Sequence, residues 1–232
     1  MRKESNRYQY KELLQYFYDE FKPELLYGQN KPDNKNDFFL LDIFNRINDV
    51  HSVFDRLNRY SVYFESFYAD PLVISEDEAL EYHLSSYLQE IYSFREKIKR
   101  LLNILKKGSK LFNIKNTDRV NDVISHLQVQ LENGLTKVLD IRGKHVHDTS
   151  VRDFDITKAK AIKLFMGMEN INKIPLEEKY GLLVSSTKQK YIAQAKNNEE
   201  ELLKLMNFIS CRMGHLVSSY FGHNTERFSK LF

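Results

Sequence analysis

The chain has 232 residues, 42% of them hydrophobic and 29% charged, which is too apolar for intrinsic disorder and enough for one substantial core or two small ones. Thirty-five basic residues against 32 acidic leave a formal charge of +3, too small an excess to argue for nucleic acid by itself. A single cysteine, Cys211, excludes an internal disulfide framework and fits a reducing compartment, and on an apolar helix face a lone thiol reads as packing. Met1-Arg2-Lys3-Glu4 opens no apolar signal-peptide core, and no window of about 18 apolar residues offers a membrane span, so a cytoplasmic protein is expected.

Only 8 Gly and 4 Pro occur, and the stretches between turn signals carry helical periodicity, which predicts an all-α antiparallel bundle forming one domain over 1–232. A first helix is expected over about 4–21, ending before Pro23, with 27–36 as a loop. A second begins at Asp37 as N-cap, carries Leu40, Ile43, Phe44, Ile47, Val50, Phe54 and Leu57, and runs to Phe67 or Tyr68 before Asp70-Pro71. A third starts near Ser75, with Glu78 at capping-box spacing, and carries Leu80, Leu84, Tyr87, Ile91, Phe94, Ile98, Leu101 and Leu105 until Lys106-Lys107-Gly108 closes it. A fourth, from Thr117 or Asp118, has the stripe Val120, Ile124, Leu127, Leu131, Leu135 and Val138. Residues 155–169 predict a shorter helix with Ala159, Ile162, Leu164, Phe165 and Met168, and 176–221 is either one long helix or two meeting near Asn197-Asn198.

The fourth stripe leads to an anomaly. Arg142 lies roughly 20° and His145 roughly 40° from Leu131 around a regular helix, inside the apolar sector. A cation there is costly unless it is paired or lines a cleft. No phosphate-binding loop, dinucleotide fingerprint, CxxC pair or HExxH helix is present, and no cofactor is expected. His145 and His147 without a third ligand are thin support for a metal. Tyr60, Tyr63, Phe64, Phe67 and Tyr68 read as core or dimer surface ahead of base-stacking platforms, and Lys97, Lys99, Arg100, Lys106, Lys107 and Lys110 as a solvated face able to add phosphate contacts.

The segment Ile141-Arg142-Gly143-Lys144-His145-Val146-His147-Asp148 resembles the signature of HEPN domains, all-helical modules with an arginine, four to six intervening residues and a histidine. The resemblance covers about 37–170, with the 4–21 helix and the 176–221 helices as extensions. Gly143 stands where that family often has a polar residue. Arg46 with His51 and Arg119 with His126 also satisfy the spacing, but the latter pair falls on the solvent side of its helix and the former in a helix interior with no turn nearby. Arg142 and His147 alone combine a misplaced cation, a glycine and an expected helix end.

The resemblance implies a homodimer with Arg and His residues meeting in an interfacial cleft, and a metal-independent endoribonuclease of toxin or phage-defence type. His147 would act as general acid or base for attack of the ribose 2′-hydroxyl, and Arg142 would hold the phosphate. Lys144 and His145 would add positive field, and Asp148 would orient an imidazole. Five residues of regular helix turn a side chain by about 140°, so either Gly143 relaxes the helix, the groups meet across a dimer, or His145 is the partner of Arg142. Thr149 replaces the tyrosine that some HEPN toxins offer to a nucleotidyltransferase antitoxin, which weighs against that kind of protein partner. The alternatives are a non-catalytic HEPN-like dimeric scaffold binding RNA or a protein, and an unrelated bundle in which Arg142 pairs with Glu90 or Glu96.

Overall fold

The computed structural model describes residues 35–66, 73–111, 117–139, 153–169 and 172–221. Among them are six α-helices and no strand: α1 (Lys35–Leu57), α2 (Tyr60–Ser66), α3 (Glu76–Leu111), α4 (Thr117–Leu139), α5 (Phe154–Met166) and α6 (Ile174–Phe221). The protein is an all-α helical bundle. The expected 4–21 helix and the Asp70-Pro71 break lie outside the described residues.

The apolar stripes form the core. Every stripe residue expected on α3 and α4 is buried, from Leu80 to Leu105 and from Val120 to Val138. On α1, Ile43, Ile47, Val50, Phe54 and Leu57 are buried, while Phe44 is half-buried. The capping box at α3 is present, the Ser75 N–H and hydroxyl both donating to Glu78 at 2.9 and 2.6 Å.

Three boundaries differ from expectation. Lys35 is already helical, so Asp37 lies within α1 instead of capping it. The helix expected to reach Phe67 or Tyr68 breaks at Asn58-Arg59, where the Arg59 N–H closes a turn on the Arg56 carbonyl and α2 restarts with Tyr63 bonded to Arg59. Gly108 does not end α3, which continues to Leu111. A Cβ at 108 would overlap the Phe39 ring, so the glycine serves close approach of α1. Of the two forms left open for 176–221, the structure has the single helix, α6, which runs through Asn197-Asn198, with Asn198 donating to the Tyr87 hydroxyl at 2.9 Å.

The bundle divides into two compact units. The first comprises residues up to Phe54, Ser93–Lys137 and the chain from Glu200. In it α1 runs antiparallel to α3, with Asp49 bonded to Lys97 at 3.3 Å and Phe54 against Phe94. Likewise α4 runs antiparallel to α6, with Gly134 against Leu205 and His126 edge-on to Phe208. The second unit comprises Asp55–Tyr92 and Val138–Glu199. There α6 runs parallel to α3, the pairs Asp77–Tyr180 and Tyr87–Asn198 fixing the register. The shorter α5 lies antiparallel to α3, with Lys160 on Glu81 and Lys163 on Glu78. The face of α5 differs from expectation: Ile156, Ala159 and Ile162 are buried, but Leu164, Phe165 and Met168 are 69%, 48% and 44% exposed.

Candidate functional site

The α4 stripe delivers the chain to the candidate segment as the spacing predicts. Leu127, Leu131 and Leu135 are fully buried and Val138 is 1% exposed, one residue before α4 ends. Arg142, Lys144, His145, His147 and Asp148 themselves lie outside the described residues. Chain description resumes at Asp153, so the segment is flanked by a buried valine on one side and a capped helix on the other.

The carboxylates offered as partners for Arg142 have other neighbours. Arg56 grips Glu90 in a two-pronged bond, Nε at 2.8 Å and Nη2 at 3.0 Å, and the Glu90 carboxylate holds the guanidinium pKa above its ordinary value. Glu96 lies 3.8 Å from Arg95 and 4.0 Å from Lys99, both of which bond more closely to Glu132 of α4. Thus Glu90 and Glu96 each have a cation beside them among the described residues.

Asp153 was not singled out from the sequence, although an aspartate directly before the stripe Ile156, Ala159 and Ile162 is an N-cap signal. Its extended backbone lets Oδ1 accept the N–H groups of Asp155 and Ile156 at 2.8 and 3.1 Å. The other oxygen accepts from the Tyr191 hydroxyl and from Lys190 at 3.2 Å, both on α6. Burial pushes the Asp153 pKa upward, but these donors outweigh it and hold the carboxyl below its ordinary range. Tyr191 moves the other way: burial, then the bond to Asp153, push its phenol up. An ionised carboxylate and a firmly protonated phenol make a structural tie, not an acid–base couple.

Tyr180 repeats the arrangement eleven residues earlier, donating to Asp77 at 2.6 Å in the first turn of α3. Eleven residues bring two side chains to within about 20° of the same helix line. One line of α6 therefore holds the N-terminal turns of α3 and α5. Beside the Tyr191 tie lies an aromatic cluster in which Tyr60 packs on Tyr87 at 4.9 Å and Phe64 stacks on Tyr191 at 5.9 Å. Burial pushes the Tyr60 and Tyr87 phenols up to about 12. These residues are core, as is expected of Tyr60 and Phe64; Tyr63 is 38% exposed, and Phe67 and Tyr68 lie outside the described residues.

The other arginine–histidine pairs occupy ordinary positions. Arg119 and His126 are exposed on α4, and Arg46 and His51 are half-buried on α1, with Arg46 3.4 Å from Asp42. Lys97 and Lys99 are bonded to Asp49 and Glu132, leaving Arg100, Lys106, Lys107 and Lys110 as the exposed part of the basic run. Cys211 is half-buried, and burial pushes its thiol up. Among the described residues no three His, Cys, Asp or Glu side chains are grouped to hold a metal, and no helix is long and apolar enough to cross a membrane.

No family model, curated protein or solved structure matches this chain.

Proposed function

We propose that the protein is a metal-independent endoribonuclease of HEPN type, acting as a homodimer in a toxin or defence role. The observation that carries the proposal is the run Arg142 to His147, which follows in sequence the α4 stripe that is buried as far as Val138. In this reading His147 takes the proton of the ribose 2′-hydroxyl as that oxygen attacks the adjacent phosphorus, the P–O5′ bond breaks with the departing oxygen protonated by the imidazolium or by water, and Arg142 stabilises the charge on the phosphoryl oxygens. The products are a 2′,3′-cyclic phosphate and a 5′-hydroxyl. Purified protein incubated with mixed RNA in EDTA should generate cyclic-phosphate ends. His147→Ala and Arg142→Ala should each lower the rate by about 100-fold or more, the usual contribution of a positioned acid–base group. Absence of cleavage by the wild type across several RNAs overturns the proposal.

A second reading, a non-catalytic scaffold for a protein partner, draws on the apolar side chains that α5 and α6 leave exposed, Phe154 at 77% and Leu182 at 66%. The same cleavage assay separates the two.

A further inference from the structure

Within the second unit, α5 and the first half of α6 leave between them an open groove of about 360 Å³ lined by Lys158, Lys179, Leu182, Leu183 and Ser186. Two of its five lining side chains are leucines, and the others are two lysines and a serine. Along α5, Phe154, Lys158 and Phe165 fall within about 40° of one line, and the Lys158 ammonium sits 5.9 Å from the Phe154 ring. Across the groove Leu182 stands outward.

The lysines indicate the sign of the occupant. On these two helices Lys160 is bonded to Glu81, Lys163 lies on Glu78, and Lys190 on Asp153 and Asp155. Lys158 and Lys179 are exposed and, among the described residues, have no carboxylate partner. Among the described residues the two cations at the groove thus have no carboxylate beside them, while Lys160, Lys163 and Lys190 on the same helices are paired.

We infer that this groove docks an acidic amphipathic helix of a partner protein, its aliphatic face against Leu182 and Leu183 and its carboxylates on Lys158 and Lys179. Two lysines fall short of the clusters of about four to eight basic residues that anionic lipid surfaces hold. A second copy of this chain would bring the same lysines toward one another across a two-fold contact. Leucines on the lining give nucleobases no polar partner. The inference is independent of the nuclease reading, since it uses no residue of the Arg142–His147 segment.

The test titrates the full chain into two labelled helical peptides, one with leucines at i, i+4 and i+7 and glutamates elsewhere, the other with lysines replacing the glutamates. Fluorescence anisotropy should report binding of the acidic peptide alone, weakened about tenfold or more by Leu182→Ser or by Lys158→Glu with Lys179→Glu. The double charge reversal should transfer binding to the basic peptide. Hydrogen exchange on wild-type protein should show slowed amides in α5 and the first half of α6 when the acidic peptide is added, a readout that needs no variant. No binding of the acidic peptide overturns the inference, as does affinity indifferent to these substitutions. So does Leu182-dependent binding of phosphatidylserine vesicles without peptide binding, or a Leu182-dependent dimer in sedimentation.

Discussion

The Tyr191 hydroxyl donates to the Asp153 carboxylate, joining the middle of α6 to the cap of α5 across 38 residues of sequence. The Asp153 side chain is only 10% exposed, so the bond is made away from bulk water. Tyr191→Phe keeps the ring stacked on Phe64 and deletes only the donor, and should cost about 1–3 kcal/mol of unfolding free energy, as for a hydrogen bond to a charged group. The pH dependence has a definite sign. The folded state lowers the Asp153 pKa, so its contribution is fully present above the unfolded aspartate pKa and is lost as pH falls through the lower folded value. Urea titrations of wild type and Tyr191→Phe should therefore converge in acid and differ most near neutrality. A gap that is constant from pH 7 into acid would show that the hydroxyl acts on something other than ionised Asp153.

Gly108 and Gly181 are both helical, and alanine favours a helix over glycine by up to about 1 kcal/mol at either. Their surroundings decide the outcome. At Gly181 an added Cβ meets nothing within 4 Å, so Gly181→Ala should raise the melting temperature. At Gly108 the Phe39 ring occupies the space, so Gly108→Ala should destabilise by about 1–3 kcal/mol, the range for overpacking. Combining Gly108→Ala with Phe39→Leu in a double-mutant cycle should return part of the loss.

Ser210 lies on α6 with no exposed surface, and its hydroxyl has no hydrogen-bond partner among the described residues. A buried polar group left unsatisfied costs roughly 1–3 kcal/mol, whereas alanine removes the group and leaves a small void. Ser210→Ala should shift the denaturation midpoint upward with an unchanged slope. A shift downward would reveal a partner for the hydroxyl in solution.

The Arg56–Glu90 pair is well aligned but its arginine is 43% exposed, so solvent screens it. Arg56→Lys loses the fork, and the loss should stay below about 1 kcal/mol and shrink further in molar salt. Stability measured in low and high salt checks both statements. A cost well above that range would mean that Glu90 is left without any other compensation once the guanidinium is gone.

How much could be read from the residues alone depended on the range of the interaction. The stripes of α3 and α4 and the Ser75–Glu78 cap are set by spacing within a few turns, and each appears where periodicity put it. The break at Asn58-Arg59 carries neither glycine nor proline, so no local signal marked it. Gly108 imitates a helix terminator because its reason for being glycine is Phe39, far away in sequence. Leu164, Phe165 and Met168 have core chemistry and solvent positions, which periodicity cannot distinguish. The ties from Tyr180 and Tyr191 to aspartates span 103 and 38 residues and were invisible for the same reason. The candidate catalytic residues rest on their spacing, and Glu90 and Glu96, the partners that the ion-pair alternative offers Arg142, are the ones whose surroundings are described.

The two compact units are interleaved along the chain, the second being threaded through gaps in the first, and α6 supplies buried side chains to both. During synthesis from the N-terminus neither unit can complete its core before α6 is made, although α1 can already pack on α3. Domains of sequential design escape this delay by folding one after another as they emerge. A nascent chain of this protein, halted before Ile174, should accordingly be a client for chaperones and a target for proteases, and emergence of α6 should lessen that vulnerability.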